Sequence, residues 1–196
     1  MTTIEHALLA VNGVLAAGCQ RRYGWQLAAL AAVAAVSPDW DGLTIVVSFT
    51  TFAAGHRVWG HNIWACLLTA AVIASLDYRF DLVTRVGSWL AKTFRVPVPG
   101  EAFQLRRHFT LATWGMWLAV AALAALSHLL ADMLVSGTAE LPPWQVHLAW
   151  PFSKRGWVFP LVRWGDPGMT LIFVAGMFAM LRWKSRCEYR RNCKRA

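Results

Sequence analysis

Residues 109–135 form one unbroken apolar stretch in which Asp132 is the single formally charged side chain and His128 the single imidazole. A run of that length covers the roughly 20 residues needed to cross a hydrocarbon core, so this chain has to satisfy a bilayer before anything else. Four further stretches, 4–19, 25–38, 61–76 and 168–183, are apolar and approach the same length. Residues 43–54 are apolar too, but short and bracketed by Gly42 and Gly55, which suits a re-entrant or interfacial element better than a span. Composition agrees: 57% of residues are hydrophobic and 15% charged, against about 45–50% and about 25% in soluble domains. Twelve tryptophans fit a chain with many positions at headgroup depth. The expected fold is all-α, a polytopic membrane helical bundle of about five transmembrane helices plus one short re-entrant or interfacial segment. Residues 1–183 read as a single membrane-embedded domain and 184–196 as a basic cytoplasmic tail.

The formal net charge is +9. Its placement argues against nucleic acid as the partner. Arg79, Arg85, Lys92, Arg95, Arg106 and Arg107 lie between Asp77 and His108, and the remaining large block, from Arg182 to Arg195, closes the chain. Both blocks flank apolar segments, as positive-inside signals do, and the 77–108 loop mixes basic and aromatic residues as a surface-lying segment would. With both blocks on the cytoplasmic side, the 109–135 helix runs outward and the 168–183 helix returns. The N-terminus is then outside and the C-terminus cytoplasmic. Anionic lipid is the natural partner of the tail, and a cytosolic protein partner is the other. Residues 136–168 become an outer loop or lid whose Trp144, Trp150, Trp157 and Trp164 are expected at the headgroup plane. Cys19, Cys66, Cys187 and Cys193 show neither ligand spacing nor a disulfide framework, and the acidic Glu5 near the start argues against a cleaved secretory signal.

This topology has a chemical consequence. His6, Asp39, Asp41, His56, His61, His128 and Asp132 all fall at outer helix ends or in outer loops, although none of them was used to set it. His128 and Asp132 are four residues apart and so share one helical face, a spacing that lets an imidazole and a carboxylate take one divalent ion. Either group alone in an apolar helix would cost several kcal/mol, roughly, which marks the pair as functional or tightly partnered. Pro38-Asp39-Trp40-Asp41 brings two carboxylates to the end of the second apolar stretch. Gly55-His56-Arg57-Val58-Trp59-Gly60-His61-Asn62 brings two imidazoles and a guanidinium to the start of the third. A lone His6 would mean little by itself.

In order along the chain, this set resembles the membrane-bound metal-dependent hydrolases, also described as LexA-binding, inner-membrane-associated hydrolases. That family has an early His, a Pro-Asp-x-Asp-His motif, a His-Arg-Gly-x-Thr-His-Ser motif and a Ser-His-x-x-x-Asp motif followed by Gly and Trp-Pro-Phe. Here the last reads Ser127-His128 to Asp132, then Gly137 and Trp150-Pro151-Phe152, so the likeness covers about residues 6–152. It departs at Gly42 in place of His, Val58 in place of Gly, Gly60 in place of Thr, and Asn62 in place of Ser. A relocated ligand such as His147, one fewer metal, or lost activity would each be consistent with the missing imidazole at position 42.

The resemblance implies a multi-pass inner-membrane protein and a metal-dependent hydrolase acting on a phosphoester, with a phospholipid among the substrates it would admit. His6, Asp39, His56, His61, His128 and Asp132 would be metal ligands, Asp41 a general base or bridging ligand, and Arg57 a phosphate clamp. Mixed nitrogen and oxygen donors suit Zn²⁺ or Mn²⁺ over Ca²⁺. The alternative is a non-catalytic regulatory protein that keeps a metal for structure and acts through its tail.

Overall fold

A computed structural model describes residues 1–95 and 110–193, with the backbone alone at 53 and 184–193. Residues 96–109 of the basic loop and the side chains of the basic tail therefore lie outside the described residues. The elements are helical throughout: α1 (Thr3–Ala16), α2 (Cys19–Tyr23), α3 (Trp25–Val36), a 3-10 segment (Ser37–Val46), α4 (Phe49–Gly55), α5 (Ile63–Phe80), α6 (Leu82–Thr93), α7 (Leu111–Leu134) and α8 (Pro167–Cys193). Strand pairing among the described residues is limited to two isolated bridges, Val135 with Val162 and Val146 with Trp157.

Small residues decide how these helices meet. Ala28, Ala31, Ala34 and Ala35 of α3, Ala70 and Ala74 of α5, and Ala121, Ala124 and Ala125 of α7 are all buried. Between apolar helices in lipid there is little hydrophobic gain from association, so close backbone approach over small side chains supplies the attraction. α3 packs against both α1 and α7, α5 packs against α7 and also touches α3, and α8 packs on α1. Large side chains point the other way: Leu68, Leu123, Leu130, Leu171 and Ile172 are more than half exposed. That distribution is inverted relative to a protein whose surface meets water, and it is what a lipid-facing surface requires.

Among the described residues, three helical segments are long and apolar enough to cross a membrane: Trp25–Val46, Ile63–Phe80 and Leu111–Leu134. The expected count of about five is thus not reached by length alone. α1 has 14 residues, about 21 Å at 1.5 Å per residue, short of a hydrocarbon core of about 30 Å. The apolar part of α8, Pro167–Trp183, is also below span length. Residues 43–54, expected as a separate element, divide between the 3-10 continuation of the first span and the short α4.

Local chemistry explains the breaks. Thr2 and Glu5 form a reciprocal capping box that starts α1. Pro38 halts α3, because it has no N–H to continue the ladder, and the chain tightens into the 3-10 segment that carries Asp39 and Asp41. At the opposite end of the bundle, Asp77 accepts from Trp117 Nε1 and from Val83 N, both at 2.8 Å, so a buried carboxylate ties α5 to α7 and to the first turn of α6. α6 carries exposed Val86, Trp89 and Leu90 beside Arg85 and Lys92, in keeping with the surface-lying segment expected there. The lid, 136–166, is pinned rather than loose. Ser136 Oγ accepts from Trp144 N at 2.8 Å, and Ile63 N donates to Leu148 O at 3.0 Å.

Candidate metal centre

Ala35 lies in the last turn of α3, just before the break at Pro38, and His128 Nδ1–H donates to its carbonyl at 2.7 Å. That bond fixes the tautomer, so His128 presents the lone pair of Nε2 to the interior. His61 is oriented in the same manner by a different group. Its Nδ1 donates to Asp41 Oδ2 at 2.9 Å, which turns Nε2 toward His128 Nε2, 3.0 Å away. Both rings are fully buried.

Two carboxylates flank this pair. Asp39 Oδ1 lies 3.4 Å from His61 Nε2 and 3.5 Å from His128 Nε2. Asp132 Oδ2 lies 3.4 Å and 3.7 Å from the same two atoms. Around a tetrahedral ion with bonds of about 2.0–2.1 Å, neighbouring ligand atoms sit about 3.3–3.4 Å apart. The Asp39–His61–His128 triangle has edges of 3.0, 3.4 and 3.5 Å, so its donors already stand near the spacing such an ion imposes.

The remaining sequence-predicted residues take definite places around this core. His6 stacks on His128 with ring centroids 3.6 Å apart, and its Nε2 lies 3.2 Å from Asp132 Oδ1. Its Nδ1 is buried and has no hydrogen-bond partner among the described residues. His56 Nδ1 lies 3.0 Å from Asp41 Oδ1, and its ring stacks on Phe52 at 4.7 Å. Asp41 is thereby fully buried between two imidazoles and also accepts from Gly60 N at 2.9 Å. Three overlapping trios, His6–His128–Asp132, Asp39–His61–His128 and Asp41–His56–His61, each bring their ligand atoms within 4.8 Å of one another.

Arg57 is the charge counterweight. Its Nη2 is 3.2 Å from Asp132 Oδ2, its Nη1 donates to Ser136 Oγ at 3.2 Å and to the carbonyls of Asp132 and Trp144 at 3.4 Å, and the guanidinium lies over the Trp144 ring. Arg57 adopts a left-handed φ of 63° to do this, an uncommon conformation for a side chain with a Cβ. The Met1 amine also meets Asp132 Oδ1, at 2.5 Å.

His61 lies in the loop before α5 and is the group whose protonation the surroundings bias most plainly. Burial works against its charged form, but hydrogen bonds to Asp132, Asp39 and Asp41 outweigh that and raise it to about 10. The acceptors that favour its proton are those a divalent ion would use, so cation and proton compete for the same atoms.

Two of the departures from the hydrolase motifs, Gly60 and Asn62, have local reasons. A Cβ at position 60 would stand 2.0 Å from the Pro38 carbonyl, so only glycine lets the 56–62 loop close on the 3-10 segment. Asn62 caps α5 by accepting from Ala65 N at 2.9 Å, a task serine performs equally well. Position 42 faces the His56 ring, where a Cβ would stand 3.6 Å from Nδ1. His147 Nδ1 donates to Lys154 O at 3.0 Å, and His147 stands outside the three trios.

Some contributors carry no signature that sequence reading could use. The Ala35 and Trp144 carbonyls, Ser136 Oγ and the Gly60 amide orient the charged groups through positions that only folding brings near. Asp39, His56, Arg57, Asp132 and His147 all border one cavity of about 1060 Å³. Its walls are partly aromatic, and Trp144 and Trp164 of the lid pack edge to face at 6.2 Å beside it. These two tryptophans, expected at the headgroup plane, therefore line the cavity.

Comparison with curated proteins and with solved structures finds no match for this chain. A family model described as YdjM inner membrane protein matches residues 1–192, and the chain belongs to that inner-membrane protein family.

Proposed function

We propose that this protein is a membrane-bound metal-dependent hydrolase that cleaves a phosphoester at the outer face of the inner membrane. The observation that carries the reading is the Asp39–His61–His128 triangle, three donors at ligand spacing beside a cavity large enough for a small substrate. Three protein ligands with a further position open toward substrate is the pattern of catalytic rather than structural zinc. A divalent ion bound there, Zn²⁺ or Mn²⁺ by its donors, would polarise a phosphoryl oxygen and acidify a coordinated water.

The protein's own groups divide the remaining work. Asp41 orients His61 and raises its basicity, a role that carboxylates commonly take behind ligating imidazoles. Arg57 neutralises Asp132 and borders the cavity, where its charge favours an anionic substrate. His6 and His56 stand as reserve donors on either side, the first against Asp132 and the second against Asp41. In this reading α1 and α8 complete five crossings, with the N-terminus outside and the C-terminus in the cytoplasm, and 184–196 is a basic tail.

The test is hydrolysis of p-nitrophenyl phosphate and bis(p-nitrophenyl) phosphate by purified protein in detergent, before and after chelation. Activity that disappears with chelator, returns with Zn²⁺ or Mn²⁺, and is absent from His128→Ala supports the proposal. Metal-loaded protein that cleaves neither ester nor any phospholipid counts against it.

A further inference from the structure

The cavity beside the His–Asp cluster has a lining of two chemical kinds. Asp39, Arg57 and Asp132 border it, and so do Phe49, Phe52 and Leu141. A pocket for a small soluble phosphate needs no such apolar wall. Moreover, Phe49 and Leu141 line it while remaining 73% and 52% exposed, so the wall continues onto the outer surface.

That surface is apolar over a considerable length. Leu43, Ile45, Val46 and Val47 are between 54% and 84% exposed and run directly into Phe49. Facing water, a ridge of this kind would be an aggregation liability. Here it extends the first membrane-crossing segment, Trp25–Val46, so it is continuous with the surface that the bilayer already covers. One path thus leads from lipid, over Phe49, into the cavity that Asp39, Arg57 and Asp132 border.

We propose that the cavity admits a membrane phospholipid sideways from the bilayer, with its phosphate at the His–Asp cluster and its acyl chain along the Leu43–Phe49 ridge. The inference rests on the phosphoester reading above and narrows it to a lipid-borne substrate. The recognised group is a phosphate ester, and the apolar ridge is what favours a lipid over a free phosphate.

The probe is phosphatidic acid with a photoactivatable diazirine in its acyl chain, added to metal-loaded protein in phosphatidylcholine vesicles. The control is diacylglycerol bearing the same chain. The expected result is severalfold greater labelling of the peptide containing Phe49 and Phe52 by the phosphatidic acid probe, with competition by unlabelled phosphatidic acid. Phe49→Glu, at an exposed position, should reduce that labelling severalfold and leave metal content unchanged. Equal labelling by both probes, or labelling confined to outward positions such as Leu68 and Leu123, would overturn the proposal. So would displacement by inorganic phosphate at concentrations where unlabelled phosphatidic acid has no effect. Headgroup-dependent labelling without hydrolysis would keep the lipid site and remove the hydrolase reading. Cleavage of soluble esters without such labelling would do the reverse.

Discussion

His61 Nε2 and His128 Nε2 face each other at 3.0 Å inside the helical bundle. Two lone pairs at that distance would repel, so one nitrogen carries a proton or both serve a shared cation. His128 already uses Nδ1–H on the Ala35 carbonyl, which leaves its Nε2 as the acceptor and His61 Nε2 as the site that exchanges a proton for a metal ion.

The first prediction concerns pH. In metal-free protein the His61 imidazolium is held by Asp132, Asp39 and Asp41, which raise it from 6.5 to about 10. A group raised in the folded state contributes stability in full below its unfolded value and loses it as pH climbs through the folded one. Chelated protein should therefore show a Tm that falls between about pH 6.5 and about pH 10. His61→Gln should flatten the slope. In the same window Zn²⁺ binding should release about one proton, read by calorimetry in buffers of different ionisation enthalpy.

Gly60→Ala tests the loop closure. The added Cβ meets the Pro38 carbonyl at 2.0 Å, and backbone on both sides leaves no flexible side chain to yield. Overpacking of this kind costs about 1–3 kcal/mol. Because Gly60 N also holds Asp41, the variant should lose metal affinity as well as Tm. A wild-type affinity for Zn²⁺ in a destabilised variant would show that the loop does not set the ligand geometry.

Arg57→Ala removes one of the two cationic groups on the buried Asp132 carboxylate, the Met1 amine being the other. Breaking a buried pair from one side costs about 3–5 kcal/mol. The loss should be larger in chelated than in metal-loaded protein, since a bound cation compensates the same carboxylate. Arg57→Lys keeps the charge but not the contacts to Ser136 and Trp144, so it should recover only part of the stability. Unfolding curves of the three proteins with and without chelator make the comparison.

Asp77→Asn serves as a contrast at the opposite end of the bundle. It weakens a carboxylate that accepts from Trp117 and Val83, and hydrogen bonds to charged groups are worth about 1.5–3 kcal/mol each. The variant should lose Tm and keep its metal, separating general destabilisation from damage to the site.

Much of this architecture is legible in the chain. The length of 109–135 and the Lys/Arg blocks identify a membrane protein, and the structure places α7 at Leu111–Leu134 within that stretch. The i, i+4 spacing of His128 and Asp132, together with the Asp39-x-Asp41 pair, points to residues that do converge. What spacing does not convey is the division of labour. Asp41 reads as a base, yet it lies buried between His56 and His61, because the 3-10 turn after Pro38 directs it under the loop. Arg57 reads as a clamp, and what its position in the chain does not convey is the left-handed backbone that brings it against Asp132 at the cavity edge. The number of crossings is hard to read for a related reason. Packing over alanine lets apolar helices shorter than span length, such as α1, sit against longer ones, so stretch length alone does not give the number of crossings.

The most direct measurement is elemental analysis of purified wild-type protein beside His128→Ala and Asp39→Ala, each confirmed as folded by its helical circular dichroism. The account predicts that wild-type protein retains a divalent ion through purification and that both variants lose most of it. Negligible metal in all three, or equal metal in all three, would contradict it.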